Sequence, residues 1–250
     1  MTSKKNKMTS KKNKMEIDQE ETELEVVLPG DPINITRKDL KLGPGLTLTQ
    51  DSVICIKAGI LKHFSKKNIW YVENNQRRYI PAERDPVIGI VTYKGGEYYR
   101  LDIGSAHQAI LPILAFENVS KKSRPNLNIG SLIYAKVVLA NKDMEPEVWC
   151  YNPDTNKAEG FGELKNGYVI KCSLRYCRRI ISQETGIRSL LKKLGEKFEF
   201  EIAAGMNGRI WICLKSKDIK NTIYCCNVIK RGENLNGDDI YELIDSLDEE

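Results

Sequence analysis

The spacing of apolar residues changes along this chain, and that change constrains the fold more than any other feature. From about residue 26 to residue 151, apolar residues come in short, β-branched runs separated by turn signals such as Gly43-Pro44-Gly45. This pattern is typical of strands joined by tight turns. Beyond Ser173 the spacing becomes helical and then returns to alternation. The chain is therefore predicted to be multidomain, with β modules first and an α+β domain last.

The first module is expected to be a small N-terminal β domain over residues 26–82. A strand is predicted over residues 52–58 and ends at Gly59. The runs Trp70-Tyr71-Val72 and Arg77-Arg78-Tyr79-Ile80 predict a hairpin, with residues 73–76 as its loop. Pro81 would end the module.

The second module, residues 83–152, has the pattern of a small barrel. Strands are predicted over residues 87–93, 97–103, 109–115, 132–140 and 146–151. Lys94-Gly95-Gly96 forms the turn between the first two. Five short strands with an open loop before the fourth predict a small OB barrel.

The third module, residues 153–232, is predicted to be a small α+β domain. Ser173 can cap one helix and Thr185 a second one, which Gly195 would end. An alternating strand over residues 197–203 and a fully apolar strand over residues 210–214 follow. The inward helix positions are expected to be Leu174, Cys177, Ile180 and Ile181, then Ile187, Leu190, Leu191 and Leu194.

Both ends of the chain are strongly charged and are predicted to be disordered. Residues 1–7 are repeated identically as residues 8–14 and together hold six lysines, whereas residues 16–25 hold six acids and residues 233–250 hold eight. Segments this polar cannot bury a core. The body between residues 26 and 232 keeps a net charge of +13, which favours a polyanionic partner. The alternative is a basic surface that only keeps the protein soluble.

Catalytic, cofactor and membrane signatures are missing. The two histidines, His63 and His107, stand apart from any nucleophile or acid motif, and no phosphate-binding glycine loop is present. The seven cysteines lack metal spacing and predict reduced thiols in a cytosolic or nuclear protein. The longest apolar-rich run, residues 109–116, is too short to span a bilayer. We therefore expect no enzyme activity, no cofactor, no metal and no membrane partner.

An RNA-binding face is predicted around the first hairpin of the barrel. Single strands bind OB barrels through aromatic stacking and basic grooves. Alternation places Tyr98 and Arg100 on one face and Tyr99 on the other, where it would join the core. The candidate RNA-binding residues are Lys94, Tyr98, Arg100, Lys121, Lys122 and Arg124.

The segment Gly205-Met206-Asn207-Gly208 has the spacing of the KH backbone clamp. A KH clamp joins two helices, whereas this segment follows a predicted strand and precedes another. It is therefore predicted to be a structural turn, which Trp211 would hold against the core or the adjacent barrel.

A series of motifs resembles cap subunits of the eukaryotic RNA exosome, of the ribosomal RNA-processing protein 40 type. The series is Val27-Leu28-Pro29-Gly30-Asp31, Leu42-Gly43-Pro44-Gly45-Leu46, Arg78-Tyr79-Ile80-Pro81, Val87-Ile88-Gly89-Ile90-Val91, Arg124-Pro125, Asp143-Met144-Glu145-Pro146-Glu147 and Gly205-Met206-Asn207-Gly208-Arg209-Ile210-Trp211. Together these motifs span nearly the whole folded body.

The resemblance implies an N-terminal domain, an S1 domain and a KH domain. It also implies an RNA-binding subunit without catalysis, in the nucleus, nucleolus and cytoplasm, that acts in rRNA processing and RNA degradation. The implied partners are RNA, the RNase PH-like ring subunits and the other cap subunits. Two alternatives remain at this stage: the related cap subunit of the 4 type, and a stand-alone enzyme acting on RNA.

Overall fold

The computed structural model describes residues 21–34, 41–49, 52–65, 68–119, 125–141, 143–216, 218–235 and 239–243. Of residues 21–24 and 185 only the backbone is described. The chain divides into two compact units, one ending at Asn74 and the other running from Asn75 to the C-terminus.

The first unit contains two small antiparallel-rich sheets. One has the strand order β1-β6-β7-β3 and the other the order β2-β5-β4. Their strands are β1 (Glu21–Val27), β2 (Pro32–Ile33), β3 (Lys41–Leu42), β4 (Leu46–Leu48), β5 (Val53–Cys55), β6 (Gly59–Phe64) and β7 (Ile69–Glu73). The buried side chains of this unit are Val27, Ile33, Leu46, Val53, Cys55, Leu61 and Val72. The prediction of a small N-terminal β domain is confirmed.

Two local predictions in this unit are wrong. Residues 21–25 belong to β1, so the acidic segment is not wholly a disordered tail. Gly59 begins a strand instead of ending one: β6 pairs with β7, and a Cβ at Gly59 would collide with the Glu73 carbonyl of that partner. The glycine marks a close approach between backbones, which sequence alone does not distinguish from a turn.

The second unit begins with a closed barrel, as predicted. Its strands are β8 (Pro86–Lys94), β9 (Tyr98–Asp102), β10 (Ala109–Pro112), β11 (Leu132–Leu139) and β12 (Glu147–Trp149), and β13 (Gly162–Leu164) adds to β11. The strand order is β12-β10-β9-β8-β11, and a further β11–β12 pairing closes the ring. Pairing around the whole ring leaves no free edge within the barrel.

The barrel core begins before its first strand. Tyr79 is 5% exposed among the barrel's core side chains, and its hydroxyl donates to Asp85 Oδ2 at 2.8 Å. Residues 77–80 therefore form no strand, and the predicted hairpin with residues 70–72 is wrong. The first compact unit ends at Asn74, ahead of the boundary expected at residue 82.

The C-terminal part of the second unit is a KH-type α+β domain. Strands β14 (Tyr168–Lys171), β15 (Phe200–Gly205) and β16 (Arg209–Leu214) form a sheet in the order β14-β16-β15. Three helices accompany it: α1 (Leu174–Ile181), α2 (Thr185–Lys197) and α3 (Ile219–Arg231). Ser173 caps α1 as predicted, accepting from the Tyr176 N–H at 3.3 Å. None of the helices in the described residues is long and apolar enough to cross a membrane.

Several details of this domain differ from prediction. Helix α3 was not predicted, although Asp218 caps it through the Lys220 N–H. Gly195 lies inside α2, which continues to Lys197. Ile181 is on the solvent side of α1, at 36% exposure. Residues 239–243 are helical, and Ile240 is fully buried in the domain core, so the acidic C-terminal segment is not wholly a tail.

Strand β16 is buried on both faces and joins the two domains of this unit. Ile210, Ile212 and Leu214 pack toward the helices. Trp211, on the opposite face, packs with Ile88 of the barrel. The strand is apolar on both faces because one face packs against the helices and the other against the barrel.

Candidate nucleic-acid interface

Strand β9 separates the barrel's core from its outer surface. Tyr99 and Leu101 are buried, whereas Tyr98 and Arg100 are partly exposed on the opposite face, as alternation predicts. The Arg100 guanidinium lies 6.0 Å from the centre of the Tyr98 ring, within cation–π range. Tyr93 lies beyond them, with its ring 6.3 Å from that of Tyr98. An aromatic surface and a cation are thus held together on a rigid strand pair.

The predicted basic loop ends beside this hairpin. Lys121, Lys122 and Arg124 lie outside the described residues, but Pro125, which follows them, accepts a 2.6 Å hydrogen bond from the Tyr99 hydroxyl through its carbonyl. The Lys94 ammonium donates to Asn126 Oδ1. Lys94 and the end of the loop are therefore neighbours. They lie on the Tyr99 side of the hairpin, since Lys94 is the strand partner of Tyr99, whereas Tyr98 and Arg100 lie on the other side.

The same outer face continues onto residues that the sequence reasoning did not select. Pro112 of β10 lies opposite Tyr98, and Ile110 lies opposite both Arg100 and Glu147 of β12. The two pairings of Ile110 place Arg100, Ile110 and Glu147 in one row across three strands. Tyr98 and Trp149 lie two residues further along β9 and β12, on the same face. The β10–β12 pairing does not continue in register beyond this row, because Cys150 pairs with Phe116. The alternation in Glu147-Val148-Trp149, with Val148 fully buried, was the signal that could have found Trp149.

Trp149 extends this face toward another cation. Its ring stacks on that of Tyr151, with the centroids 5.0 Å apart. Lys136 of β11 is the strand partner of Trp149, and its ammonium donates to Asn152 Oδ1 at 3.0 Å. Stacked rings bordered by cations can hold the bases and phosphates of a single strand.

Carboxylates on this face moderate its charge. Arg100 Nη2 lies 3.7 Å from Glu145 Oε1, with both side chains 40% exposed. An ion pair that exposed is weak, so an incoming phosphate can compete for the guanidinium. Glu147 accepts from the Trp149 indole N–H at 2.7 Å, which orients the ring.

The Gly205-Met206-Asn207-Gly208 segment connects β15 to β16 and is buried against the barrel. The Asn207 amide donates to the Ile88 and Ile103 carbonyls at 2.8 and 2.9 Å, and its Oδ1 accepts from the Ile88 N–H at 3.1 Å. The Met206 N–H donates to the Pro86 carbonyl at 2.7 Å. The polar side chain of this turn therefore bonds the barrel and not its own strand pair.

Arg209 strengthens the same joint. Its guanidinium donates to the Asp102 carbonyl at 2.6 Å and to Asp102 Oδ2 at 2.7 Å. Burial opposes ionisation of Asp102, but bonds from the Gly104 N–H and Arg209 outweigh it, so the pKa of this carboxyl lies below its usual value. The β15–β16 turn thus fixes the KH-type domain to the barrel.

The His, Cys, Asp and Glu side chains of the described residues are the groups that could bind a metal or act as nucleophiles. No group of three or more His, Cys, Asp or Glu side chains among them could hold a metal ion. Burial raises the pKa of the Cys172 and Cys177 thiols to about 12, so neither is a ready nucleophile near neutral pH. The His63 ring stacks on Trp70 and contacts Asn68, in an arrangement of structural character.

A closed S1-type barrel fixed to a KH-type domain, with aromatic and basic side chains on the barrel's outer face, defines a multidomain S1/KH protein. Three family models match in chain order: "Exosome complex exonuclease Rrp40 N-terminal domain" over residues 40–78, "Exosome complex component RRP40, S1 domain" over residues 79–162, and "KH domain" over residues 167–218. The exosome complex component rrp40 of Schizosaccharomyces pombe is 46% identical over 224 residues, covering 86% of this chain and 91% of that protein. This chain belongs to the exosome complex component RRP40 family.

Two further comparisons are more distant. The exosome complex component Rrp4 of Methanosarcina acetivorans is 28% identical, over 78% of this chain and 71% of that protein. This lower identity, together with the match to the Rrp40 N-terminal model, favours the 40 type over the 4 type. A crystal structure described as an exosome complex RNA-binding protein shares the fold, with a TM-score of 0.55 at 23% identity over 69% of this chain and 97% of that one.

Proposed function

We propose that this chain is a non-catalytic, RNA-binding cap subunit of the RNA exosome, which helps to guide RNA toward a separate 3′→5′ nuclease in rRNA processing and RNA turnover. The observation that carries the proposal is the outer face of the barrel, where the Arg100 guanidinium lies within cation–π range of the Tyr98 ring. Lys94 and the end of the basic loop lie on the Tyr99 side of the same hairpin. Membership of the RRP40 family supports the same role.

The physical case for RNA rests on matched chemistry. Every nucleotide carries one phosphate and one ring with a π face, so a surface that alternates cations and aromatic rings binds single strands with little sequence preference. The outer face has that composition, because it carries Tyr98 beside Arg100 and Trp149 beside Lys136. The rings lie on paired strands, so little ordering entropy is lost when a strand binds.

Within this proposal the first unit docks on the RNase PH-like ring subunits. Four of its apolar side chains are more than half exposed: Val26, Leu28, Leu48 and Ile56. Several large apolar side chains exposed on one small unit are typical of a protein interface. The Gly30 N–H donates to the Cys55 carbonyl at 2.8 Å, which brings the Leu28 turn next to Ile56.

The proposal includes the other cap subunits as partners and a location in the nucleus, nucleolus and cytoplasm. It includes no cofactor and no membrane contact. A stand-alone RNA-acting enzyme is the alternative of another class, and the described residues supply no feature that favours it.

The test is purification of the tagged chain from its own cells, followed by identification of its partners and an RNA-degradation assay with Mg²⁺. Ring and cap subunits should copurify with the full chain and with a variant that lacks residues 1–15, but not with one that lacks residues 1–74. The isolated chain should leave labelled RNA intact. Copurification without the first unit would contradict ring docking, and nuclease activity that persists through further purification would contradict a non-catalytic role.

A further inference from the structure

A cavity of about 400 Å³ opens where the KH-type sheet meets the barrel, and neither Tyr98 nor Trp149 lines it. The segment Asn75-Gln76-Arg77, the end of β14 at Lys171 and the start of α1 form part of its wall. The backbones of Gly104 and Gly208 form another part. Because these glycines carry no side chains, the cavity extends down to the joint between the two domains.

The charged side chains that line this cavity are all basic. They are Arg77, Lys171 and Arg209, and no carboxylate is among the described lining residues. Arg209 is already bound to Asp102. Arg77 and Lys171 are both exposed, and neither forms an ion pair with a carboxylate in the described part of the chain. Two cations without a carboxylate ion-pair partner among the described residues therefore face one concave surface, which attracts anions.

Lys171 is held in place by the sheet. As the last residue of β14, it lies opposite Arg209 in the antiparallel pairing with β16, so both side chains leave the same face of the sheet. Lys171 also lowers the pKa of Asp102 electrostatically, which places its charge near the domain joint. That single carboxylate already accepts from Arg209 and from the Gly104 N–H.

A second cavity of about 240 Å³ shares Asn75 and Ser173 with the first, so the two form one groove. The second cavity adds Arg175, together with Arg179, which is already paired with Glu184 at 2.6 Å. At the start of α1 the Glu233 carboxylate already accepts from the Ser173 N–H at 2.6 Å, so the positive charge of the groove lies mainly in the first cavity.

We propose that this groove binds the phosphate backbone of single-stranded RNA, as a second contact separate from the barrel's aromatic face. The proposal rests on the proposed function, since both contacts serve the same ligand. RNA suits the groove better than an acidic peptide does. The apolar side chains on its wall, Tyr79 and Leu174, are 5% and 7% exposed, which leaves little for a peptide side chain to anchor on.

The test uses the full chain and a fluorescently labelled single-stranded oligouridylate, with affinity measured by anisotropy over a range of salt. The groove variant Arg77→Ala with Lys171→Ala removes two charges. The matched control, Lys192→Ala with Lys220→Ala, removes two exposed charges that do not line the groove. The groove variant should flatten the slope of log K against log salt by about 1.4, at roughly 0.7 per phosphate contact. The charge-conserving pair Arg77→Lys and Lys171→Arg should restore most of it.

The outcomes separate the two proposals. If the unmodified chain binds no oligouridylate, the proposed function and this inference both fail. If it binds, and the groove variant has the slope of the control, the groove inference alone is overturned. A polyglutamate peptide that binds the unmodified chain and is lost in the groove variant, with RNA binding unchanged, would assign the groove to an acidic protein instead. Thermal unfolding of each variant establishes that the exposed substitutions leave the fold intact.

Discussion

Asn207 and Ile88 lie 119 residues apart in the sequence, and the Asn207 side chain bonds Ile88 as a neighbouring strand would. Its Nδ2 donates to the Ile88 carbonyl at 2.8 Å, while its Oδ1 accepts from the Ile88 N–H at 3.1 Å. Ile88 is fully buried, so water cannot replace these bonds. The KH-type turn thus supplies hydrogen bonds that β8 does not obtain from its own barrel, and the two domains are stabilised together.

Replacing Asn207 with alanine should destabilise this two-domain unit by roughly 1–3 kcal/mol, because a buried N–H would lose its acceptor. Asn207→Asp should be no better, since a carboxylate cannot donate to the Ile88 and Ile103 carbonyls. The measurement is urea unfolding at neutral pH. Asn227→Ala, at an exposed position of α3, is the control and should change stability by less than about 0.5 kcal/mol. Equal stability of the two alanine variants would contradict the role given to Asn207.

Gly208 and Gly195 should respond oppositely to alanine. Gly208 has a φ of +76°, and a Cβ there would lie 2.7 Å from the Cys172 carbonyl oxygen, so Gly208→Ala should cost about 1–3 kcal/mol. Gly195 lies within α2 with open space around it, so Gly195→Ala should stabilise by about 0.5–1 kcal/mol.

The same pair tests the backbone-clamp interpretation of residues 205–208. Because the turn is buried against the barrel, Gly208→Ala should weaken oligouridylate binding only as far as it unfolds the protein. Thermal melts and anisotropy on the same samples compare the two effects. An unchanged melting temperature with RNA binding lost would establish a clamp and refute a structural turn.

The sequence allowed the domain classes to be predicted because local periodicity distinguishes strands from helices. The predictions for Gly195 and Gly59 were wrong. A glycine can end a helix or allow two backbones to approach closely, and only its three-dimensional surroundings distinguish these roles. Tyr79 and Ile240 were assigned to the wrong segments because their partners are distant in sequence. Trp149 and the groove escaped notice for the same reason, since strand register and domain packing bring their components together.

The Asp102–Arg209 ion pair predicts an acid-dependent stability. A carboxyl whose pKa is lowered in the folded state stabilises the fold above its unfolded pKa, near 3.8, and that contribution is lost as the pH falls through the folded value. Because the Asp102 side chain is 46% exposed, solvent screening limits the effect to about 0.5–1 kcal/mol. Urea unfolding of the unmodified chain and of Asp102→Asn at pH 7, 5 and 3 measures it. The difference in unfolding free energy between the two proteins should shrink at pH 3. A difference that grows as the pH falls would contradict a stabilising role for the ionised Asp102.

The basic loop that ends at Pro125 should contribute to RNA affinity through charge alone. Its end is fixed by the Tyr99 hydroxyl, which bonds the Pro125 carbonyl beside Lys94. Each cation that meets a phosphate should add roughly 0.7 to the slope of log K against log salt. Replacing Lys121, Lys122 and Arg124 with alanine should therefore reduce the slope by up to about 2, with no change in melting temperature. Lysine in place of Arg124 should retain the slope, since one positive charge remains.

Tyr99→Phe tests the same loop without changing its charge. It keeps the barrel core filled but removes the hydrogen bond that holds the end of the loop. It should weaken binding at low salt while leaving all the loop's charges in place. If the unmodified chain binds RNA and the triple substitution leaves the slope unchanged, the loop is not part of the RNA interface. The outer face with Tyr98 and Trp149 and the groove would then have to account for the affinity.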